Sequence, residues 1–198
     1  STTSTVKLIE LQTEQKSNPE GISALKPRFS WKLTSEKQDV MQTAYQIEVG
    51  ATEKELQAGD NLLWSSGKIE SDQALFLEYG GQPLESGKSY CWRLTVWTNT
   101  GEKTQSEIQH WSMALLKDSD WKAKWIGIND PENVKIVENR TILAARYLRK
   151  EFDATAKPKR AVLYVSGVGS SVCYLNGKQI GNDVFGPLPT WYDASVPY

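Results

Sequence analysis

Apolar and polar residues alternate in several short stretches of the first half of the chain. The clearest are RFSWKL at 28–33, AYQIEV at 44–49 and YCWRLTVW at 90–97, with further ones in TVKLIELQTE at 5–14 and SEIQHWSM at 106–113. A period of two is typical of a β-strand that buries one face. Turn signals such as Gly80-Gly81 and Thr100-Gly101 separate these stretches. About seven short strands with turns between them predict a β-sandwich over residues 1–117.

The stretch PLESGKSYCWRLTV at 83–96 refines this prediction. Tyr90 begins a strand whose inward residues follow at every second position, and it comes shortly after Leu84 and Gly87. The pattern resembles the tyrosine corner of fibronectin type III domains, in which the hydroxyl bonds back to the backbone of the preceding crossover. We therefore expect Tyr90 to be structural, and Trp31 to be a large core residue of the same sandwich.

One short helix is predicted within GATEKELQAGD at 50–60. Thr52 with Glu55 three residues later forms a capping box, and Gly59 supplies a stop signal. The segment has fewer than about ten residues, so we expect a connection between strands rather than a framework element.

The second half, residues 118–198, begins a new series of strand-like stretches. RYLRKEFDA at 146–154 and RAVLYVSG at 160–167 precede SVCYLNGKQIG at 171–181, in which Asn176-Gly177 is a strong signal for a type I′ hairpin. That hairpin would place Cys173, Leu175 and Ile180 on one face, which we expect to be the core. Because only about four or five strands are available, we expect a second β-sandwich that is incomplete in this chain.

Composition and charge argue against several classes of protein, including nucleic-acid-binding and membrane-spanning ones. The chain carries 23 Lys and Arg against 24 Asp and Glu, and neither half forms a basic patch, so we expect no nucleic-acid partner. No apolar run is long enough to span a membrane, and the polar start STTST shows no signal peptide. Cys91 and Cys173 lie in separate strand-like stretches, which favours two free thiols.

The sequence lacks the usual catalytic and cofactor-binding signatures. His110 is the single histidine, and no nucleophile elbow, phosphate-binding loop or metal-ligand spacing accompanies it, so we expect no metal and no cofactor. Two pairs of carboxylates were considered for sugar hydrolysis: Asp118 with Asp120, and Asp183 with Asp193. Asp-Ser-Asp ahead of a strand is more typical of turn chemistry.

Aromatic residues supply the candidates for ligand contact, because the chain contains eight tryptophans. Trp97 is predicted on the outward face of its strand, and Trp191, Tyr192 and Asp193 are clustered near the end of the sequence. These four residues are the candidate sugar contacts. In DSDWKAKWIG at 118–127, an extended chain places Trp121 and Trp125 on one face. They would pack into the core of the second domain or the domain junction, or else form a sugar platform.

Several of these strings, taken in order, resemble one family. KPRFSWKL, QTAYQIEV, LLWSSGKIESDQ, YCWRLTVWTNTGEKTQSE and DWKAKWIG are similar to the N-terminal region of bacterial α-L-rhamnosidases, the family 78 glycoside hydrolases. RYLRKEFDATAKPKRAVLYVSGVGSSVCYLNGKQIG and WYDASVPY resemble the next domain of the same enzymes. The resemblance extends from about Lys26 to Tyr198, with the divide between the two domains expected at 117/118.

The resemblance implies an all-β chain, with a fibronectin type III-like sandwich followed by part of a jelly-roll-like one. It implies a parent enzyme that releases terminal α-L-rhamnose with inversion, using a general-acid and a general-base glutamate of a downstream (α/α)6 domain. No residue of this sequence matches the family's catalytic motifs, so no catalytic residue is assigned and the chain alone is expected to be inactive.

The implied partners are therefore the chain's own downstream catalytic domain and a rhamnose-containing glycan. The resemblance also implies a periplasmic or extracellular location after signal removal. Two alternatives to a scaffold role stay open: a carbohydrate-binding module, and a stand-alone fibronectin-like adhesion module.

Overall fold

The computed structural model describes residues 5–128, 134–137, 140–143, 145–158, 160–167 and 170–181. The chain divides into two compact units, Ser1–Trp125 and Ile126–Tyr198. Each unit is described separately below.

The first unit contains nine strands, one α-helix and one 3₁₀ turn. The strands are β1 (Val6–Thr13), β2 (Arg28–Ser35), β3 (Gln42–Gly50), β4 (Trp64–Ser65), β5 (Ile69–Glu70), β6 (Leu77–Glu78), β7 (Ser89–Thr98), β8 (Lys103–Gln105) and β9 (Gln109–Ser112). Helix α1 spans Glu53–Ala58, and the 3₁₀ turn spans Asp118–Asp120.

These strands form two antiparallel sheets. One sheet has the order β1-β2-β6, and the other has the order β4-β3-β7-β8, with β5 paired to β3 and β9 paired to β7. Side chains from the two sheets meet in the core: the rings of Phe29 on β2 and Trp92 on β7 have centroids 4.6 Å apart. The β-sandwich predicted from the alternating pattern is confirmed.

Alternation along the strands accounts for the core. Phe29 and Trp31 of β2 are 0% and 1% exposed, and the inward residues of β3 and β7 are also buried, at most 7% exposed. Those residues are Tyr45, Ile47, Val49, Tyr90, Trp92, Leu94 and Val96. Burying a large apolar side chain stabilises a fold by roughly 1.5–3 kcal/mol, so this aromatic layer is the main source of cohesion in the unit.

The tyrosine corner is present. The backbone N–H of Glu85 donates a hydrogen bond of 2.9 Å to the hydroxyl of Tyr90, which ties the crossover before β7 to that strand. Burial raises the pKa of Tyr90, so the hydroxyl stays protonated at neutral pH. The structural role expected for Tyr90 is confirmed.

Helix α1 has the predicted caps. The Thr52 hydroxyl accepts a hydrogen bond of 3.2 Å from the backbone N–H of Glu55, whose carboxylate accepts one of 3.0 Å from the backbone N–H of Thr52. Gly59 ends the helix with a φ of 72°, a conformation that costs glycine little. Leu56 is fully buried and packs the helix onto the sheet.

In the second unit, the described strands form two antiparallel hairpins. Strand β10 (Val134–Val137) pairs with β11 (Arg140–Leu143), and β12 (Tyr174–Leu175) pairs with β13 (Lys178–Gln179). Asn176 and Gly177 have φ values of 50° and 78°, which confirms the type I′ turn. The backbone N–H of Ile180 donates to the carbonyl of Cys173 at 2.8 Å, as the predicted two-residue hairpin requires.

Two expectations for this unit differ from the structure. Leu175 and Ile180 are 48% and 40% exposed, so the predicted core face of the hairpin is not buried. A two-stranded hairpin has no opposing layer of its own against which to bury a face.

The described residues of 146–154 and 160–167 form no strand. Local alternation shows only that a segment fits a pleated surface, and a strand also needs a hydrogen-bonded neighbour.

Candidate functional site

The outer face of the larger sheet carries the candidate contact residue Trp97. Alternation along β7 directs Arg93, Thr95 and Trp97 away from the core. The sheet register places Glu48 beside Arg93, Gln46 and Gln105 beside Thr95, and Lys103 beside Trp97. We call these seven residues, together with Lys68 and Ser65, the outer face.

Two lysines flank the Trp97 ring. The Nζ atoms of Lys68 and Lys103 lie 5.2 Å and 5.3 Å from the ring centroid, within the range of a cation–π interaction. Lys68 immediately precedes β5, which pairs with β3, whereas Lys103 begins β8 on the other side of β7. The two cations therefore reach Trp97 from opposite sides of its strand. The half-buried Trp97 ring therefore does not offer an uncovered face on which a sugar could stack.

The remaining outer-face side chains interact with one another. Arg93 donates to the carboxylate of Glu48 at 2.9 Å, and the two side chains are only 16% and 15% exposed. Arg93 Nε has no hydrogen-bond partner among the described residues, so this ion pair is incompletely satisfied. Gln105 Nε2 donates to Thr95 Oγ1 at 3.2 Å. The face is a polar surface with one aromatic end.

Cys91 and His110 lie side by side at the other end of β7 and have structural partners. The buried thiol of Cys91 donates to the carbonyl of Gly50 at 3.5 Å, and burial raises its pKa to about 11. His110 Nε2 lies 3.1 Å from a carboxylate oxygen of Glu53, and its backbone N–H donates to Asn18. Cys91 and Cys173 are both free, as predicted. A thiol kept protonated by burial is a poor nucleophile.

A hydrogen-bonded clasp that sequence reasoning missed lies at the end of the first unit. The Ser86 hydroxyl donates to Asp120 and accepts a bond of 2.9 Å from the backbone N–H of Leu116. The backbone N–H of Lys117 donates to the same Asp120 carboxylate at 3.2 Å. The Ser86 hydrogen bond lowers the pKa of Asp120. We call Ser86, Leu116, Lys117 and Asp120 the Ser86–Asp120 clasp.

The clasp continues from the tyrosine corner. Tyr90 is hydrogen-bonded to Glu85, and the next residue, Ser86, is hydrogen-bonded to Leu116 and Asp120. The Asp118-Ser119-Asp120 sequence signals a turn, but nothing in it identifies Ser86 as the partner.

The tryptophans of DSDWKAKWIG have different environments. Trp121 is half-buried, whereas Trp125 is 68% exposed. The prediction that Trp125 packs into a core is therefore wrong for this structure. The described residues 121–128 form no strand, so the alternation assumed for an extended chain does not set their orientation.

Of the four candidate sugar contacts, the structure places one. Trp97 lies on the outer face as predicted, while Trp191, Tyr192 and Asp193 fall outside the described residues, as does Asp183. Asp118 lies in the 3₁₀ turn and Asp120 in the clasp. Within the described ranges, no three His, Cys, Asp or Glu side chains are grouped to bind a metal, and no helix is long and apolar enough to cross a membrane.

Two family models match this chain. The model for the Rha78A-like, N-terminal immunoglobulin domain matches residues 8–117, more than half of the 198 residues. The chain belongs to this Rha78A-like family. A second model, for the α-L-rhamnosidase N-terminal domain, matches residues 156–198. The resemblance to the N-terminal region of α-L-rhamnosidases is confirmed.

Relatives of this Rha78A-like chain agree with that assignment. An α-L-rhamnosidase of Alteromonas sp. (strain LOR) is 36% identical over 182 residues, which cover 90% of this chain and 20% of the relative. One from Formosa agariphila is 35% identical over 181 residues, covering 90% and 19%. The chain thus spans about one fifth of the length of these curated relatives.

Solved structures show the same fold. The α-L-rhamnosidase of Streptomyces avermitilis complexed with L-rhamnose has a TM-score of 0.61 and 30% identity, covering 66% of this chain and 12% of that one. The α-L-rhamnosidase from Dictyoglumus thermophilum has a TM-score of 0.60 and 29% identity, covering 65% and 14%.

Proposed function

We propose that this chain is a non-catalytic scaffold within an α-L-rhamnosidase that removes terminal α-L-rhamnose from glycosides or polysaccharides. One observation supports this proposal above all. Both family models describe N-terminal domains of rhamnosidases, and an α-L-rhamnosidase relative aligns with 90% of the chain. Hydrolysis, with inversion at the anomeric carbon, is assigned to two glutamates of a downstream (α/α)6 domain. That domain is the principal partner of this region.

The first unit has the features expected of a scaffold. Its largest aromatic side chains are committed to the core, where Phe29 contacts Trp92 and Trp31 contacts Tyr45. The tyrosine corner and the Ser86–Asp120 clasp fix the crossover before β7 and the last turn of the unit. We propose that the divide between the two sandwich domains lies at 117/118, immediately before the 3₁₀ turn, although that turn belongs to the first compact unit, Ser1–Trp125. No observation favours the adhesion alternative.

The test compares rhamnosidase activity in two polypeptides. One is the 198-residue chain, and the other continues through the remaining length of the relatives. With a chromogenic α-L-rhamnoside, we expect release only from the longer polypeptide, and proton NMR should show the β-anomer of rhamnose first. Release by the 198-residue chain would contradict the scaffold role. No release by a folded longer polypeptide would contradict the assigned activity.

A further inference from the structure

Lys68 and Lys103 flank Trp97 on the outer face. Their charges determine what kind of sugar this face would bind. Aromatic side chains bind neutral sugars by offering an open ring face. Here two ammonium groups lie within 5.3 Å of the ring centroid and approach from opposite sides of β7. A neutral sugar on this ring would have to displace an ammonium group and lose its cation–π interaction.

We propose that the outer face around Trp97 is a binding site for an acidic saccharide. Lys68 and Lys103 would pair with its carboxylate or sulfate groups, while the exposed part of the Trp97 ring contacts the sugar. The proposal rests on the proposed function, since it assigns a glycan contact to the accessory region of a glycan-degrading enzyme. It adds a chemical class to the sugar contact predicted for Trp97 from the sequence.

The lysines are available for an anion. Lys103 is exposed and forms no ion pair among the described residues. Lys68 lies 2.6 Å from a carboxylate oxygen of Glu70, and the two side chains are 46% and 70% exposed. An ion pair this exposed is weak, so a saccharide anion can replace Glu70.

The rest of the outer face suits an extended sugar chain. Gln105, Gln46 and Ser65 provide neutral hydrogen-bonding groups beside Trp97, while the buried Thr95 accepts a hydrogen bond from Gln105. The Arg93–Glu48 ion pair lies at the end of the outer face away from Trp97 and adds no net charge. Arg93 and Trp97 are four positions apart on β7, a distance of about 14 Å, which is long enough for more than one sugar unit.

Nucleic acid is not the favoured anion for this surface. Tight phosphate-backbone binding draws on about six to ten cationic contacts, whereas this face offers two lysines and an arginine that is already paired with Glu48. The net charge of the chain is −1, so there is no general attraction for polyanions. A saccharide with one or two acidic groups matches the two lysines.

The test is an NMR titration of the 198-residue chain that follows the Trp97 indole resonance. The probes are a galacturonic-acid tetrasaccharide, a chondroitin-sulfate tetrasaccharide, the neutral cellotetraose and inorganic sulfate. In about 20 mM salt we expect a saturable shift with at least one acidic tetrasaccharide, and we expect it to weaken in about 0.5 M salt as screening increases. Cellotetraose and inorganic sulfate should bind at least about tenfold more weakly, or about 1.4 kcal/mol.

Paired charge variants provide the control. The double variant Lys68→Gln, Lys103→Gln should lose about tenfold in affinity. The matched variant Lys7→Gln, Lys32→Gln removes two exposed lysines from the other sheet and should change affinity by less than about twofold. No saturation below about 10 mM of either acidic tetrasaccharide would overturn the proposal. Equal binding of cellotetraose or inorganic sulfate, or equal loss in both variants, would also overturn it. None of these results would change the rhamnosidase activity of the longer polypeptide, so the two proposals fail separately.

Discussion

The backbone N–H of Glu85 donates a 2.9 Å hydrogen bond to the buried hydroxyl of Tyr90, five residues later. Through the next residue, Ser86, the same crossover bonds to Asp120 at the end of the first unit. Two consecutive residues therefore connect the core strand β7 to the last turn of this unit.

Removing the Tyr90 hydroxyl should destabilise the chain. In Tyr90→Phe the Glu85 N–H loses its acceptor, and we expect the free energy of unfolding to fall by about 1–3 kcal/mol in urea denaturation. Tyr79→Phe is the matched control, because the buried Tyr79 hydroxyl has no hydrogen-bond partner in the described structure. That substitution should be neutral or stabilising. Equal losses in the two variants would show that the Glu85–Tyr90 bond contributes nothing specific.

The Ser86–Asp120 clasp should make stability depend on acid pH. The pKa of Asp120 is lowered in the folded state, chiefly by the Ser86 hydrogen bond. Its stabilising contribution is therefore present above the ordinary aspartate pKa and is lost as pH falls through the lowered folded value. Thermal melting of Asp120→Asn should lie below that of the parent chain at pH 7, and the two should converge toward pH 2–3.

Asp118→Asn is the control for this prediction, since Asp118 is exposed in the same turn. It should melt like the parent chain across the pH range. A difference for Asp120→Asn that persists unchanged in acid would contradict the role given to its charge.

Gly81 should not tolerate a side chain. A Cβ atom at this position would lie 2.3 Å from the Tyr79 hydroxyl oxygen and 2.6 Å from Trp64 Cβ. Gly81→Ala should therefore cost about 1–3 kcal/mol of unfolding free energy, as overpacking does. Gly127→Ala meets no atom within 4 Å and should leave stability unchanged. If both variants melt at the same temperature, the close packing of Gly81 is not as described.

The two thiols should react at different rates. Burial raises the pKa of Cys91 to about 11, whereas Cys173 is partly exposed. Ellman's reagent at pH 8 should modify one thiol per folded chain rapidly and the second only after denaturation. In Cys173→Ser the fast phase should disappear. A fast phase that survives that substitution would mean that Cys91 is accessible.

Local signals in the sequence predicted the local structure. Alternation identified Phe29 and Trp31 as core residues, Thr52 with Glu55 gave the helix start, and Asn176-Gly177 gave the hairpin turn. Each of these depends on residues within a few positions of one another. The tyrosine corner was predictable for the same reason, because Glu85 and Tyr90 lie on one crossover.

The Ser86–Asp120 clasp and the contacts around Trp97 on the outer face were less predictable, because both join residues that are distant in the sequence. Ser86 and Asp120 are 34 positions apart, and nothing in either neighbourhood identifies the other. Alternation placed Trp97 on the outer face, but only the strand order β5-β3-β7-β8 brings Lys68 and Lys103 against it. For Trp125, spacing predicted burial, and the absence of a strand in the described residues 121–128 reversed that expectation.

In the proposed scaffold role, this region stabilises an α-L-rhamnosidase without touching the reacting bond. The most direct measurement is rhamnosidase kinetics and thermal inactivation of the longer polypeptide with and without Tyr90→Phe. We predict an inactivation temperature lower by several degrees, with kcat and KM unchanged at temperatures where both proteins are folded. A several-fold change in KM with an unaltered inactivation temperature would contradict the scaffold role and place this region in substrate binding.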